Sequence, residues 1–307
     1  MRPIILILGP TGGGKTALSI SLANELPGGG ECIIADSMQI YRGMDIGTAK
    51  PTPDEQSRAI HHLIDVAQPN EDGFTVDTWL SQAEDAITEI RGRGKWPIVV
   101  GGTNLYVQSL LFGIFDGPGC NQETRDKLEK KTNIALQERL RALDPDAADR
   151  IHINDKRRLI RAIEVCEATG AQLSSLQSQW TGPQPRADAL LIGLSWPVKT
   201  INRRINTRVR AMFDEGLLGE VEGLQHQLGK QAAEALGYKQ LIAHFRGECT
   251  LDEAKERIKI LTRRYAKQQR TWLRRFGAMP SSYFIDMDNK GMQHAVDTAL
   301  TYILSRV

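Results

Sequence analysis

Near the amino terminus, Gly9-Pro10-Thr11-Gly12-Gly13-Gly14-Lys15-Thr16 fits the spacing GxxxxGK[ST]. The apolar run Ile4–Leu8 precedes it, and Leu18, Leu22 and Leu26 follow at i, i+4, i+8. A buried strand turning into a helix through glycines is the context in which this spacing acts on phosphate. Glycines let successive backbone N–H groups point at phosphate oxygens, and the helix N-terminus adds positive potential. Lys15 supplies a full charge, and the Thr16 hydroxyl is a candidate Mg²⁺ ligand. A glycine-rich turn without a ligand is the bland alternative. The spacing leaves the ligand open: ATP, GTP or an organic diphosphate all suit such a cradle, although no NKxD-like guanine-reading sequence is present.

Three further apolar runs, residues 32–35, 98–100 and 190–194, read as strands buried on both faces. Helical patterns at 15–26 and 74–91 lie between strands, so the expected fold is α/β, a P-loop NTPase-like doubly wound parallel sheet. The alternation lapses after Leu111. Asp116-Gly117-Pro118-Gly119 and Thr181-Gly182-Pro183-Gln184-Pro185 read as breakers around a charged helical insertion. Residues 122–143 are expected as one helix, and a second follows the cap pair Asn154-Asp155 and stops at Gly170. The domains expected are therefore residues 1–111 with 186–307 as catalytic core, and 112–185 as the insertion. Thr250 and Glu253 have capping-box spacing ahead of a helix reaching Phe276. Its apolar stripe is Leu251, Ala254, Ile258, Leu261, Tyr265, Trp272 and Phe276.

Formal net charge is only +2, so overall charge does not announce a nucleic-acid partner. Basic residues nevertheless crowd 255–275, with a smaller cluster at Lys156, Arg157, Arg158 and Arg161. Cys32, Cys120, Cys166 and Cys249 lie far apart, which argues against a zinc site or a disulfide framework. The first apolar run is too short for a signal-peptide core, and no run has the length of a membrane span. The expectation is a cytoplasmic protein without membrane association, and a monomer.

Asp36 follows the second strand and so sits on the sheet edge that carries the phosphate cradle. Three roles compete for it: organising Mg²⁺ through water, acting as a general base, or capping the next segment. Thr103 falls on the same edge, where capping the helix over 105–111 is the simpler role. The neighbours His61 and His62 would point to opposite faces of a strand, a poor ligand pair. At this level the generic reading is a P-loop small-molecule or nucleotide kinase. A non-catalytic P-loop RNA-binding protein is a third class.

Several segments together resemble the tRNA dimethylallyltransferases, also called tRNA isopentenyltransferases. They are the P-loop; Ile34-Ala35-Asp36-Ser37-Met38-Gln39-Ile40-Tyr41-Arg42-Gly43-Met44-Asp45-Ile46-Gly47-Thr48-Ala49-Lys50-Pro51; His61-His62-Leu63-Ile64-Asp65; Val100-Gly101-Gly102-Thr103-Asn104-Leu105-Tyr106; Arg158 with Arg161-Ala162-Ile163-Glu164-Val165; Arg204-Ile205 with Arg208-Val209; and Ala235-Leu236-Gly237-Tyr238-Lys239. The resemblance implies transfer of a dimethylallyl group from its diphosphate to the exocyclic amine of the adenosine just 3′ of the anticodon, with Mg²⁺. It implies Asp36 as base, Thr103 in the reaction channel, and Arg208 ahead of Arg204 on the diphosphate. It implies tRNA contacts from Asp36, Ser37, Met38, Gln39, Thr103, Arg125, Arg157, Arg158, Leu159, Ile160 and Arg161. Met38, Asn104 and Arg157 depart from residues common in the family. No zinc-finger extension follows Val307, as expected of the compact bacterial type.

Overall fold

The computed structural model describes all residues except 115, 116, 120, 177–184 and 289. Asp116 and Thr181-Gly182-Pro183-Gln184 of the expected breakers, and Cys120, lie outside the described residues. The chain divides into two compact units: Met1–Leu111 with Arg186–Val307, and Phe112–Pro185.

The first unit is built on a six-stranded parallel sheet: β1 Ile4–Leu8, β2 Gly30–Ala35, β3 His61–His62, β4 Trp96–Gly101, β5 Ala189–Ser195 and β6 Ser282–Asp286. The order is β3-β2-β4-β1-β5-β6. Every β1 residue is buried, because its neighbours are strands and both its faces are covered. Ile5 stands beside Ile98 on one side and Leu190 on the other. One core layer joins the sheet to the helices Lys15–Glu25 and Met292–Leu304 through Leu18, Leu22, Val296 and Ile303. A second core packs the residues after β2 (Ile40, Tyr41, Met44) against the helices Val198–Asp214 and Leu251–Phe276.

β3 and β6 were not among the expected strands. β3 has two residues and no apolar run, and β6, Ser-Tyr-Phe-Ile-Asp, is an edge strand with only Ile285 buried. Edge strands lack the continuous apolar signal of central ones.

Two contacts bring the ends of β2 and β4 together. A side chain on Gly101 would place its Cβ 2.0 Å from the Ala35 oxygen, so the strands approach as only glycine permits. Trp79, wholly buried, donates from Nε1 to the Ile34 oxygen at 2.8 Å and stacks on Tyr106 at 4.6 Å. Asp36 and Thr103 therefore emerge side by side.

The second unit is helical. The helix expected over 122–143 is two, Gln122–Glu129 and Asn133–Leu143. The break comes at Thr132, whose hydroxyl caps the Ala135 amide at 3.2 Å. Lys156–Thr169 begins at the Asp155 cap and ends at Gly170 in the left-handed region (φ 68°). Leu128, Leu136, Leu140, Leu159 and Ile163 form its core.

Candidate active site

The phosphate loop is braced so that its carbonyls are engaged from behind. Lys15 Nζ donates to the oxygens of Gly9 (3.0 Å) and Pro10 (3.1 Å). Arg204 Nε donates to the Gly12 oxygen at 2.9 Å, and Trp196 Nε1 to the Gly13 oxygen at 3.0 Å. Arg204 also lies over the Trp196 ring, 4.6 Å from its centroid. Gly12 and Gly14 adopt φ of 74° and 93°, conformations that point consecutive amides to one side. Arg208 donates to Thr11 Oγ1 at 3.4 Å. The family resemblance implies Arg208 ahead of Arg204 on the diphosphate. The structure puts Arg204 on the exposed outer side of the loop and leaves Arg208 half-buried at Thr11.

Asp36 is surrounded by cations. Burial raises its pKa above the ordinary carboxylate value, against the opposing pull of the Met38 amide, Lys15 and Arg208. Burial lowers Lys15 to about 8, helped by the Arg208 charge and opposed by Asp36. Arg208 is also lowered by burial and is held up mainly by Asp36. These three side chains share one electrostatic field, in which a carboxylate is reluctant to ionise and an ammonium is readier to lose its proton. Such opposed shifts mark chemical sites more often than structural ones. Asp36 Oδ1 accepts the Met38 N–H at 3.0 Å, and the residues that follow form turns, so Asp36 caps no helix.

Thr103 does not cap its helix with its hydroxyl. Its Oγ1 accepts the Ser37 N–H at 2.9 Å and donates to Ser37 Oγ at 3.3 Å. Its own N–H reaches the Ala35 oxygen at 3.1 Å. Thr103 and Ser37 therefore lock together beside Asp36. Gln39 donates to the oxygens of Thr48 and Ala49, and Met38 packs against the second core.

The run after Asp36 is held by groups that sequence reasoning missed. Glu220 accepts the amides of Asp45, Ile46 and Gly47 at 2.7–2.9 Å and the Tyr238 hydroxyl. Buried Lys50 donates to the Tyr41 oxygen at 2.8 Å and bridges Asp45 and Asp65. Gln269 was missed too. It is 2% exposed, and it joins the Thr11 amide (2.8 Å) to the Gly102 oxygen (3.1 Å). It sits in the apolar stripe of Leu251–Phe276, whose buried second half is Ala266, Gln269, Leu273 and Phe276, without Trp272. A signal existed: glutamine at i+3 from one buried position and i−4 from the next.

His61 and His62 serve different partners. His61 Nδ1 lies 2.8 Å from the Ala59 oxygen, and His62 Nε2 lies 2.7 Å from Glu31 Oε2. Glu31 is buried among Arg93, Lys95 and His62, which together hold its carboxyl down at about 2 against the effect of burial. In the second unit, Arg157 and Arg158 are exposed, and Arg158 pairs with Asp155 (3.3 Å). Arg161 NH1 donates to the Pro118 oxygen at 3.1 Å. Arg125 clasps buried Glu164 through Nε and NH2 at 3.0 and 2.7 Å. Leu159 (0% exposed) and Ile160 (5%) are core residues whose side chains do not reach the surface.

Comparison with known proteins gives the family. A model described as IPP transferase matches residues 39–276, and one described as isopentenyl transferase matches residues 2–71. A tRNA dimethylallyltransferase of Shouchella clausii is 47% identical over 279 residues, covering 89% of this chain and 88% of that one. One from Geobacter sulfurreducens is 44% identical over the same length, covering 89% of each. The structure is similar to the tRNA isopentenylpyrophosphate transferase of Staphylococcus epidermidis, with TM-score 0.72, 36% identity and full coverage of both chains. It is also similar to a eukaryotic dimethylallyltransferase described as acting on tRNA, with TM-score 0.82 and 28% identity over 99% of this chain and 80% of that one. On the strength of these matches across nearly its whole length, this chain belongs to the IPP transferase family, the tRNA dimethylallyltransferases.

Proposed function

We propose that this enzyme transfers a dimethylallyl group from dimethylallyl diphosphate to the exocyclic N6 amine of the adenosine immediately 3′ of the anticodon in tRNA. The observation that carries the reading is Asp36: a half-buried carboxylate, raised in pKa by desolvation, in one field with the phosphate-loop lysine and Arg208.

The adenine amine is a weak nucleophile, its lone pair being delocalised into the ring. As its nitrogen bonds to the allylic carbon, the carbon–oxygen bond to diphosphate breaks and its electron pair leaves with diphosphate. The proton lost by the amine goes to Asp36, and a base whose pKa has been drawn upward accepts it readily. The loop amides, Lys15 and Arg208 stabilise the departing charge. Arg204 acts from outside by holding the loop in shape. Thr103, locked to Ser37, lines the channel through which amine and donor meet.

A divalent metal ion fits the donor chemistry here in a limited way. Among the described residues no three His, Cys, Asp or Glu side chains converge. The Thr16 hydroxyl and the substrate's phosphate oxygens would hold Mg²⁺, which is bound in this manner at phosphate sites. When bound, the ion neutralises part of the diphosphate charge.

Asp36, Ser37, Met38 and Gln39 in the first unit, and Arg125, Arg157, Arg158 and Arg161 in the second, are proposed to contact the tRNA anticodon loop. The target base has to leave its stack to reach Asp36. Among the described residues no helix is long and apolar enough to cross a membrane. A cytoplasmic monomer is the proposed state. Membership of the family favours this activity over a kinase on the same cradle, and the end of β4, Gly101-Gly102-Thr103-Asn104, contributes no carboxylate of its own.

The test is single-turnover transfer of labelled dimethylallyl to tRNA, and to a tRNA carrying guanosine in place of the target adenosine. Label on the first alone is expected. Equal label on both, or on neither, contradicts the reading.

A further inference from the structure

We infer that Gln269 is a positioning residue that locks the phosphate loop to the end of β4, so that the donor cradle and the Thr103 channel keep one spacing. The inference deepens the proposed prenyl transfer and rests on it. Gln269 extends from the second half of the Leu251–Phe276 helix into the interior, where it is 2% exposed. Both ends of its amide are used. Oε1 accepts the Thr11 N–H at 2.8 Å, and Nε2 donates to the Gly102 oxygen at 3.1 Å. No other uncharged side chain of this length offers an acceptor and a donor at once.

Each bond fixes one side of the reaction. On the donor side, the Thr11 amide is turned toward Gln269, so it is not one of the amides that face a phosphate. Thr11 also receives Arg208 on its hydroxyl, so Gln269 fixes the backbone of the residue whose side chain Arg208 binds. On the acceptor side, the Gly102 oxygen receives both Gln269 and the Tyr265 hydroxyl (2.9 Å) from one turn earlier on the same helix. The next residue is Thr103, joined to Ser37 beside Asp36. One helix thus ties together the strand ends that carry the two halves of the chemistry. Misplacement by an ångström between reacting groups costs on the order of a hundredfold in rate.

Gly102 provides a second way to the same perturbation. A Cβ there would lie 2.5 Å from Gln269 Nε2 and 3.8 Å from Asp36 Oδ2. The first contact is with the far end of a flexible side chain, so Gly102→Ala expels the Gln269 amide while the backbone stays in place.

The experiment compares the full-length chain with Gln269→Ala, Gln269→Met, Gly102→Ala and the Gly102→Ala/Gln269→Ala pair. It measures the single-turnover rate, dimethylallyl diphosphate affinity, tRNA affinity and Tm. Gln269→Met keeps the length and loses both polar ends. All three single variants are expected to lower the single-turnover rate by about tenfold to a hundredfold. Donor affinity should fall, and tRNA affinity should stay within about twofold. The pair should be no slower than Gln269→Ala, because the clash has nothing left to expel. A parental rate in Gln269→Met beside a slow Gln269→Ala would assign the residue to packing and overturn the inference. So would multiplying effects in the pair. Absence of transfer by the parent chain would instead remove the reading on which the inference stands.

Discussion

Replacing Asp36 by asparagine separates the carboxylate's chemistry from its geometry. The asparagine Oδ1 still accepts the Met38 N–H that Asp36 accepts at 3.0 Å, so the turn after β2 is kept. What disappears is the ability to take the proton of the adenine amine. Loss of a general base slows transfer by about 10²–10⁴, or roughly 3–5 kcal/mol in the barrier. Stability moves the other way. Burial raises the folded-state pKa of Asp36 above 3.8, so its proton is held more tightly in the folded chain than in the unfolded one. The stability linked to that proton is full below the unfolded pKa and is lost as pH rises through the folded value. Asp36 is therefore a burden on the fold whenever it is ionised. Asp36→Asn should melt at or above the parent temperature. Donor affinity should hold or rise, because a negative charge has left the diphosphate's surroundings. Rapid-quench single turnover with both substrates saturating, alongside thermal melts, reads both effects. A transfer rate within about threefold of the parent would refute the assignment of Asp36 as base, and a large loss of Tm would refute the claim that its charge is strained.

The Lys15 amine, drawn to about 8 by burial and the Arg208 charge, must be protonated to hold diphosphate well. Donor affinity should therefore fall as pH rises past about 8, and calorimetry in two buffers near that pH should show proton uptake on binding; an affinity flat to pH 10 would contradict this. Arg208→Ala removes the half-buried cation at Thr11 and should slow transfer by about 10²–10³, with Lys15 titrating higher by NMR once the neighbouring charge is gone. Arg158→Gln with Arg161→Gln should weaken tRNA binding and flatten its slope against log salt by roughly one to two. Dimethylallyl diphosphate affinity should be unchanged in that pair, and an unchanged tRNA slope would show that this face is merely solvated.

The parts of the site readable from the sequence are those whose signals are local. The phosphate loop announces itself in consecutive residues between a strand and a helix, and Asp36 is placed by the strand that ends at Ala35. The capping box at Thr250 and the left-handed Gly170 are similarly local. What was not readable depends on contacts distant along the chain. Glu220 holds the amides of residues 45–47 from more than 170 positions away, and Gln269 reaches Thr11 across 258. Neither spacing leaves a periodic trace. Gln269 is further hidden because a polar residue on an apolar stripe counts against burial until its two partners are seen. The stripe extrapolated through Trp272 instead of Leu273 for the same reason: over 26 residues, small drift in the helical period moves the buried line by one position. His61 and His62 form a two-residue edge strand with too little apolar character to register.

The central claim is that this phosphate loop serves a prenyl donor and a tRNA base. The most direct measurement incubates the enzyme with tRNA, Mg²⁺, dimethylallyl diphosphate and ATP together, then digests the tRNA and weighs its nucleosides. The account predicts that one adenosine, the one 3′ of the anticodon, gains the mass of a single dimethylallyl unit, that diphosphate is released in equal amount, and that ATP is untouched. Unmodified adenosine together with phosphate transferred from ATP to any acceptor would contradict it.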